Sequence, residues 1–485
     1  MRPVLTPQEM ARADARAIAA GTPETVLIER AAAAVARHAL RMLAGPYGRR
    51  VVVVAGKGNN GADGIGAARR LSDRGIGVAV FALAGGIDHA AFAGALARAD
   101  LAIDAMFGTG FRGVLAGDAA FIADALADAA VPTLAVDIPS GVDGATGETH
   151  GSAVRADETV CFAALKTGLL FEPGRSHAGR VEVADIGIDV GEPTLHVLDV
   201  ADLRLPHRLP DAHKWTSGAL IVGGSTGMVG APLMASHAAA RCGAGMVVCA
   251  LPGPEAAARA STGEIVARAL PATDDGSLDA DAAGVVLKDV ERFHAVAIGP
   301  GLGRDERTQA AVRQIVAECA RPIVVDADAL NALAVDLAPL RQRHRAGFPP
   351  AILTPHSGEY ARLAGAPAGA DRVAAARDLA NRTDAIVLLK GPGTVVAAPG
   401  GNAIVNRTDT PALATAGTGD VLTGVIAGLL ANGAPPFDAA TSGAYVHGRA
   451  ACAAGTAPDL VATDLIDALH RTLDALRSGS DPWEE

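Results

Sequence analysis

Aromatic side chains are the conspicuous shortage of this chain, at 3% of 485 residues. Its cores must be filled by Ala, Val, Leu and Ile instead. Cysteine is scarce as well. The five, at 161, 242, 249, 319 and 452, show no metal-ligand spacing, and an odd count gives no disulfide framework, which suits a reducing cytoplasm. No uninterrupted apolar run reaches bilayer length, and Met1-Arg2-Pro3-Val4 lacks the apolar stretch of a signal peptide, so a cytoplasmic protein is expected. Positive charge is in deficit. A net charge of −11 argues against nucleic acid or an anionic membrane as the main partner. Lysine is rarer still: five of the 42 basic residues, at 57, 166, 214, 288 and 390, four of them beside glycine-rich or motif-like segments.

What the chain does have is glycine, 57 of them, many directly after apolar runs. That pattern suits α/β units with ligand-binding turns. The length calls for two domains. Residues 9–44 read as helix. Strand-like runs follow at 51–55, 78–83, 101–107, 133–138 and 158–164, mostly with helical patterns between them. The polar, proline-containing stretch 200–216 interrupts this order, placing a boundary near 204/205. Strand-like runs resume at 219–222, 245–251, 295–299, 322–327, 351–354, 385–390 and 394–398. Short, wholly apolar strands alternating with helices indicate parallel sheets covered on both faces.

In the first half, strand 51–55 runs into Gly56-Lys57-Gly58-Asn59-Asn60-Gly61-Ala62-Asp63-Gly64, with a helical pattern at 65–74. Strand, glycine loop and helix is the layout that holds a phosphate against bare N–H groups, although Asn and Gly are also ordinary turn formers. Asp104 ends one strand ahead of the turn Gly108-Thr109-Gly110-Phe111-Arg112-Gly113-Val114. Asp137 ends another, ahead of Ser140 and Gly141. Ligands of an open parallel sheet bind outside the carboxyl ends of its strands, which brings Asn60, Asp104 and Ser140 to one crevice. Their oxygens suit a hard cation, and their low total charge a monovalent one. Read singly, each acid is as well explained as a cap or turn residue.

The second half carries more such turns. Gly223-Gly224-Ser225 and Gly227-Met228-Val229-Gly230-Ala231-Pro232 open a helix running through Ala238. Gly299-Pro300-Gly301-Leu302-Gly303 follows a strand. Asp326 and Asp328 end another, Thr354-Pro355-His356-Ser357-Gly358-Glu359 a third, and Lys390-Gly391-Pro392-Gly393-Thr394 a fourth. The set closes with Ala416-Gly417-Thr418-Gly419-Asp420. Apolar residues at 421, 422, 425, 426, 429 and 430 then mark a helix beginning near Asp420, closed by Asn432-Gly433. Bare N–H groups at that helix start favour negative charge, and a carboxylate there can take a proton from a hydroxyl. His356 alone reads as a satisfied loop histidine, Lys390 as solvated, and Asp326 or Asp328 as caps. Together they make a phosphoryl-handling site.

On these motifs the first half resembles the N-terminal epimerase domain of the bifunctional NAD(P)H-hydrate repair enzymes, of YjeF type. The second half resembles their ADP-dependent dehydratase domain, of ribokinase-like fold. The family's GNNGGDG loop matches 58–64, except that Ala62 replaces a glycine and adds a methyl at a tight turn. Its TPHxGE, KGxGT and AGTGDVLxG patterns match 354–359, 390–394 and 416–424. The resemblance implies an α/β protein of two domains: an N-terminal Rossmann-like parallel sheet with helices on both faces, and a C-terminal ribokinase-like domain. It implies hydrate contacts at Asn59, Asn60, Gly61, Ala62 and Asp63, at Gly108 to Val114, and at Asp137. In the second half these fall at Ala231, Gly301 or Gly303, His356 and Asp420. Lys390, Gly391, Pro392, Gly393, Thr394, Gly417, Thr418 and Gly419 would serve ADP. Asn60, Asp104 and Ser140 would hold K+, and the nucleotide chemistry implies Mg2+ with no visible ligand set. Lys166 would be a support. The expected catalytic groups are Asp420 and Asp137, the ligands hydrated NADH or NADPH and ADP, and the assembly a homo-oligomer. Two other readings stay open: an ATP-dependent kinase of a vitamin precursor or sugar, and a non-catalytic N-terminal scaffold.

Overall fold

The computed structural model describes residues 1–483 apart from Leu209, Thr456 and Pro458. The chain divides into two compact units, Arg2–His196 and the chain from Val197 onward. That division falls earlier than 204/205 for a physical reason. Leu198 is buried in the second unit's core, and Val200, Leu203 and Leu205 pack against the same core. The proline-containing stretch therefore begins as packed chain and not as a linker.

The first unit is built on a six-stranded sheet in the order Gly77–Ala82, Arg50–Ala55, Leu101–Ala105, Thr133–Val136, Glu158–Phe162, Arg180–Ala184. Every neighbouring pair is parallel. Successive side chains point to opposite faces. Val51, Val53, Leu101 and Ile103 pack against the helices Pro7–Ala19, Glu24–Met42 and Asn59–Ser72. Val52, Val54 and Ala102 pack the other way, with Phe92, Ile122 and Leu126. This is the expected α/β sandwich.

Two local readings need correction. Residues 9–44 are two helices, because Gly21 turns the chain at φ 100° and Pro23 cannot continue a helical hydrogen-bond ladder. The first helix starts on a capping box, with Thr6 and Glu9 each satisfying the other's backbone N–H. The helix expected at 65–74 already starts at Asn59 and runs to Ser72. Gly61, Ala62 and Asp63 therefore lie in its first turns. The Ala62 N–H bonds to the Gly58 carbonyl at 3.1 Å, so the Ala62 methyl sits on a helix and not at a tight turn.

In the second unit nine strands run in the order Val266–Leu270, Met246–Pro252, Gly218–Val222, Ala295–Ile298, Ile323–Val325, Ile352–Leu353, Ile386–Leu389, Val395–Ala397, Ala403–Val405. The first seven are parallel and the last two add as antiparallel neighbours. Ala219, Ile221, Ala295, Ala297 and Val324 face the helices Gly230–Arg241, Thr418–Ala431 and Pro436–Ala454. Arg180–Ala184 and Val266–Leu270, which gave no clear strand signal, are edge strands carrying charged side chains.

Glycine sets the fit of the helix Thr418–Ala431. A Cβ on Gly424 would lie 2.0 Å from the Ala235 carbonyl oxygen, and one on Gly428 2.7 Å from that of Ala239. The helix is thus held against Gly230–Arg241 at a separation only glycine permits. Gly424→Ala is expected to lose about 1–3 kcal/mol by overpacking, although the same change in an exposed helix gains about 1 kcal/mol. Urea denaturation of the full chain checks the sign.

Candidate active sites

A cavity of about 850 Å³ opens at the carboxyl ends of the first unit's strands. Asn59, Asn60 and Asp63 line it from the start of the helix Asn59–Ser72; Gly108 to Phe111 and Asp137 line it from the strand ends. Five expected contacts are not on its wall. Gly61 serves packing, since a Cβ there would sit 2.0 Å from the Gly56 carbonyl oxygen. Ala62 lies on the same helical turns, away from the lining set, and Gly113 follows the lining turn at φ 94°. Arg112 turns back to the Phe111 carbonyl at 2.7 Å, and Val114 is exposed.

Asp137 occupies the left-handed region at φ 67°, a conformation that costs about 1–3 kcal/mol in a non-glycine residue. It is held there by its own N–H on the Val160 carbonyl and by the buried Lys166, whose Nζ lies 2.8 Å from Asp137 Oδ1. Lys166 Nζ also donates to the carbonyls of Phe162 and Ala164. Burial works against the Lys166 charge, but Asp137 outweighs it and drives the lysine pKa above its usual value. Asp63 is the opposite case. Among the described residues its carboxyl accepts no hydrogen bond, and burial, with Asp137 and Asp14 nearby, pushes its pKa up to about 8. Asp14, half-buried on the helix Pro7–Ala19, also lines the cavity, as do Glu24, Lys57, Asp118 and Lys166. No glycine turn marks Asp14; it lies in the middle of an Ala- and Arg-rich helix, where the sequence gave no signal.

Asp104 and Ser140 come together, and Asn60 stands beside Gly108. Asp104 pairs with Val54 and Ala135 in mid-sheet and is fully buried. It accepts from Ser140 Oγ at 2.7 Å, from the Ser140 N–H at 2.8 Å and from the Met106 N–H at 3.1 Å. A Cβ on Gly108 would lie 3.3 Å from Asn60 Oδ1, and the buried Asn60 Nδ2 has no partner among the described residues. Burial lifts the Asp104 pKa to about 6, against the hydrogen bonds from Ser140 and Met106. A buried carboxylate with neutral oxygens around it fits one monovalent cation. Among the described residues no group of three His, Cys, Asp or Glu side chains forms a metal site by itself.

The second unit's site is organised by Asp326, buried at the end of Ile323–Val325. Its Oδ1 accepts from Lys390 Nζ at 2.8 Å and from Thr354 Oγ1 at 2.7 Å, and its Oδ2 from Thr423 Oγ1 at 2.7 Å. Burial pulls its pKa up, but Lys390 and the two hydroxyls hold it below the ordinary value. Lys390 in turn is held charged by Asp326 and Glu359 against the cost of burial. Its Nζ comes within 3.5 Å of where a Cβ on Gly419 would be.

Gly417 caps the helix Thr418–Ala431 at φ 90°. Among the described residues the Gly419 and Asp420 N–H groups have no backbone acceptor, and the Thr418 N–H reaches Thr415 only at 3.4 Å. Thr418 Oγ1 pins the turn to the carbonyls of Leu413 and Thr415, both at 2.8 Å. The Asp420 carboxyl accepts no hydrogen bond there. Burial and Asp326 raise its pKa to about 7, with Lys390 opposing. Beneath the turn, His447 is buried, and burial drops its pKa to about 4. It is neutral, so its Nε2–H donates to the Thr418 carbonyl at 2.8 Å and Nδ1 carries no proton. His447 lies in a run of small residues on Pro436–Ala454, with no motif to flag it.

Gly301 and Ala231 meet: a Cβ on Gly301 would lie 3.5 Å from the Ala231 methyl. The Gly303 N–H is taken by Asp328 Oδ2 at 2.9 Å. His356 caps the helix Ser357–Ala364, its Nδ1 accepting from the Gly358 N–H at 3.0 Å, and burial together with Lys390 and Arg362 lowers its pKa. Gly391 stands at φ 140° against Arg372, the Gly393 N–H donates to Asp409 at 3.0 Å, and Thr394 Oγ1 donates to the Gly391 carbonyl at 3.1 Å. Pro392 completes that turn.

The second unit therefore defines an α/β enzyme that handles phosphoryl groups, joined to a unit with a carboxylate-lined cavity. Residues 219–472 match the family model described as NAD(P)H-hydrate dehydratase, and residues 24–168 match that of the YjeF-related protein N-terminus. The chain is 41% identical to the bifunctional NAD(P)H-hydrate repair enzyme Nnr of Moorella thermoacetica, over 93% of this chain and 92% of that one. It is 38% identical to the enzyme of the same name from Salinibacter ruber, over 97% and 96%. The ADP/ATP-dependent NAD(P)H-hydrate dehydratase of Bacillus subtilis, co-crystallised with ATP and Mg2+, is 31% identical and covers 56% of this chain and 94% of its own, with a TM-score of 0.45. The chain belongs to the family of bifunctional NAD(P)H-hydrate repair enzymes.

Breaking the Lys166–Asp137 pair should unseat the first site. Lys166→Met leaves a buried carboxylate without its counter-charge and is expected to lose about 3–5 kcal/mol, read by chemical denaturation of the full chain.

Proposed function

We propose that the first unit interconverts the R and S hydrates of NADH and NADPH, and that the second dehydrates the S form while splitting ADP to AMP and phosphate. The observation that carries the second activity is Asp420: a carboxyl that accepts no hydrogen bond among the described residues, at an open helix N-terminus, within the electrostatic reach of Lys390.

A hydrated dihydronicotinamide carries its hydroxyl on the carbon next to the ring nitrogen, since water adds to an enamine at that position. Asp420 takes the hydroxyl proton. The oxygen forms a bond to the terminal phosphorus of ADP while the bond to the bridging oxygen breaks, releasing AMP. The N–H groups of 417–419 and Lys390 hold the charge on the phosphoryl oxygens. The ring nitrogen's electron pair then expels phosphate, and loss of a proton from the neighbouring carbon restores the double bond. Gly391 to Thr394 would cradle the nucleotide, with Ala231, Gly301, Gly303 and His356 along the hydrate. Mg2+ would supply charge neutralisation on the phosphates. In the first unit, Asn60, Asp104 and Ser140 would hold K+, which would fix a negative group of the hydrate beside the cavity. Asp137 would handle the proton in epimerisation. The ligands and reaction suit a soluble, cytoplasmic homo-oligomer.

The kinase alternative shares the anion hole but gives the first unit's cavity no part in the reaction. Asp420→Asn is expected to slow dehydration by roughly 10²- to 10⁴-fold, followed as return of nicotinamide absorbance from S-hydrate and ADP, while R-to-S exchange continues. In the wild type the dehydration rate should rise with pH through about 7, because Asp420 must lose its proton to act. Retention of more than about a tenth of the rate in the variant counts against the base role.

A further inference from the structure

The first unit's cavity holds a second proton-handling group that no motif marks as such. Two carboxyls on its wall meet opposite conditions. Asp137 accepts from a buried ammonium at 2.8 Å and faces the Phe162 N–H at 3.4 Å. Both contacts are donors to its carboxyl, and one of them is charged. Asp63, 7% exposed, accepts no hydrogen bond among the described residues. It stands on a different element, the helix Asn59–Ser72, and Asp14 on the helix Pro7–Ala19 is a third carboxyl on the same wall. One buried lysine cannot neutralise three carboxylates. One carboxyl paired with a buried ammonium and another without a donor, on one cavity wall, are placed as a base and an acid.

We propose that Asp63 is the general acid of the epimerisation, working against Asp137 as base, and that Asp14 is a positioning residue which keeps Asp63 protonated. This rests on the reading of the first unit as an epimerase. Asp137 takes the proton of the hydrate's hydroxyl. The carbon–nitrogen bond to the ring nitrogen breaks as the carbonyl forms, and its electron pair goes to nitrogen, which receives the proton of Asp63. The aldehyde rotates about the adjoining carbon–carbon bond. The same transfers in reverse then close the ring on the other face and return each proton to its owner. No oxidant or further reactant enters. The other charged groups around the cavity are Glu24, whose Oε1 is taken by Asn59 at 2.8 Å, Lys57, Asp118 and Lys166. Asp118 is engaged by His89 and the Ile87 N–H.

The charge of Asp14 adds to burial and Asp137 in pushing the Asp63 pKa up to about 8. An acid must hold its proton, so epimerisation should fall as pH rises through that value. The test gives the full-length enzyme R-hydrate without ADP and follows S-hydrate by chromatography, with the uncatalysed exchange subtracted, across a pH series. Asp63→Asn should lose roughly 10²- to 10⁴-fold in turnover while still binding hydrate, read by fluorescence titration. Asp14→Asn should move the alkaline limb acidward by about half a unit or more, as expected when one nearby like charge is removed. The Asp14 variant carries the test even if Asp63→Asn does not fold. Asp63→Asn with more than about a tenth of the wild-type rate, or an unmoved limb in Asp14→Asn, overturns the assignment. A wild-type enzyme that does not speed exchange at all overturns the epimerase reading itself, and with it this one.

Discussion

The buried carboxylate of Asp326 is the constraint on which the second site depends. It ties together the ends of three strands and one helix: its own at 326, Thr354, Lys390 and Thr423. A lone buried carboxylate would protonate, and a lone buried lysine would lose its proton. Each is kept charged by the other. The pair fixes a cation beside an open helix start without leaving a carboxylate free to repel phosphate. Asp420, a few residues from Thr423 on the same helix, accepts no hydrogen bond among the described residues. Burial, and then the charge of Asp326, lift its pKa to about 7.

The anion hole is braced from behind by neutral chemistry. His447 grips the Thr418 carbonyl, and Thr418 Oγ1 grips two more carbonyls. Gly424 and Gly428 hold the helix close against Gly230–Arg241. Among the described residues the Gly419 and Asp420 N–H groups are left without a backbone acceptor. The first unit repeats the use of a buried lysine. Lys166 anchors Asp137 in a backbone conformation it would otherwise avoid, as Lys390 anchors Asp326. In a chain so short of lysine, the buried Lys166 and the half-buried Lys390 each pair with an aspartate at a strand end.

Much of this was legible in the sequence because it is local. Apolar strands ending in glycine and an acid gave the sheets and the edge where ligands bind, and Gly417-Thr418-Gly419-Asp420 announced its helix. What was hidden is set by tertiary distance. Asp14 and His447 sit inside helices with no turn chemistry around them, and only folding brings them to their sites. Asp326 read as a possible cap, because its three partners lie far away in sequence. The two-helix break at Gly21 and Pro23 was visible in the residues but was overridden by the long Ala-rich pattern. The helix start at Asn59 was obscured by glycines, which read as loop until a strand packs against them.

The central claim is that the hydrate's hydroxyl oxygen leaves on phosphorus. It is tested most directly with S-hydrate carrying ¹⁸O in that hydroxyl, turned over with ADP in unlabelled water. The account predicts that the released phosphate carries the label and that AMP carries none. Label found in water, with unlabelled phosphate, would show that the hydroxyl departs without phosphoryl transfer and would contradict it.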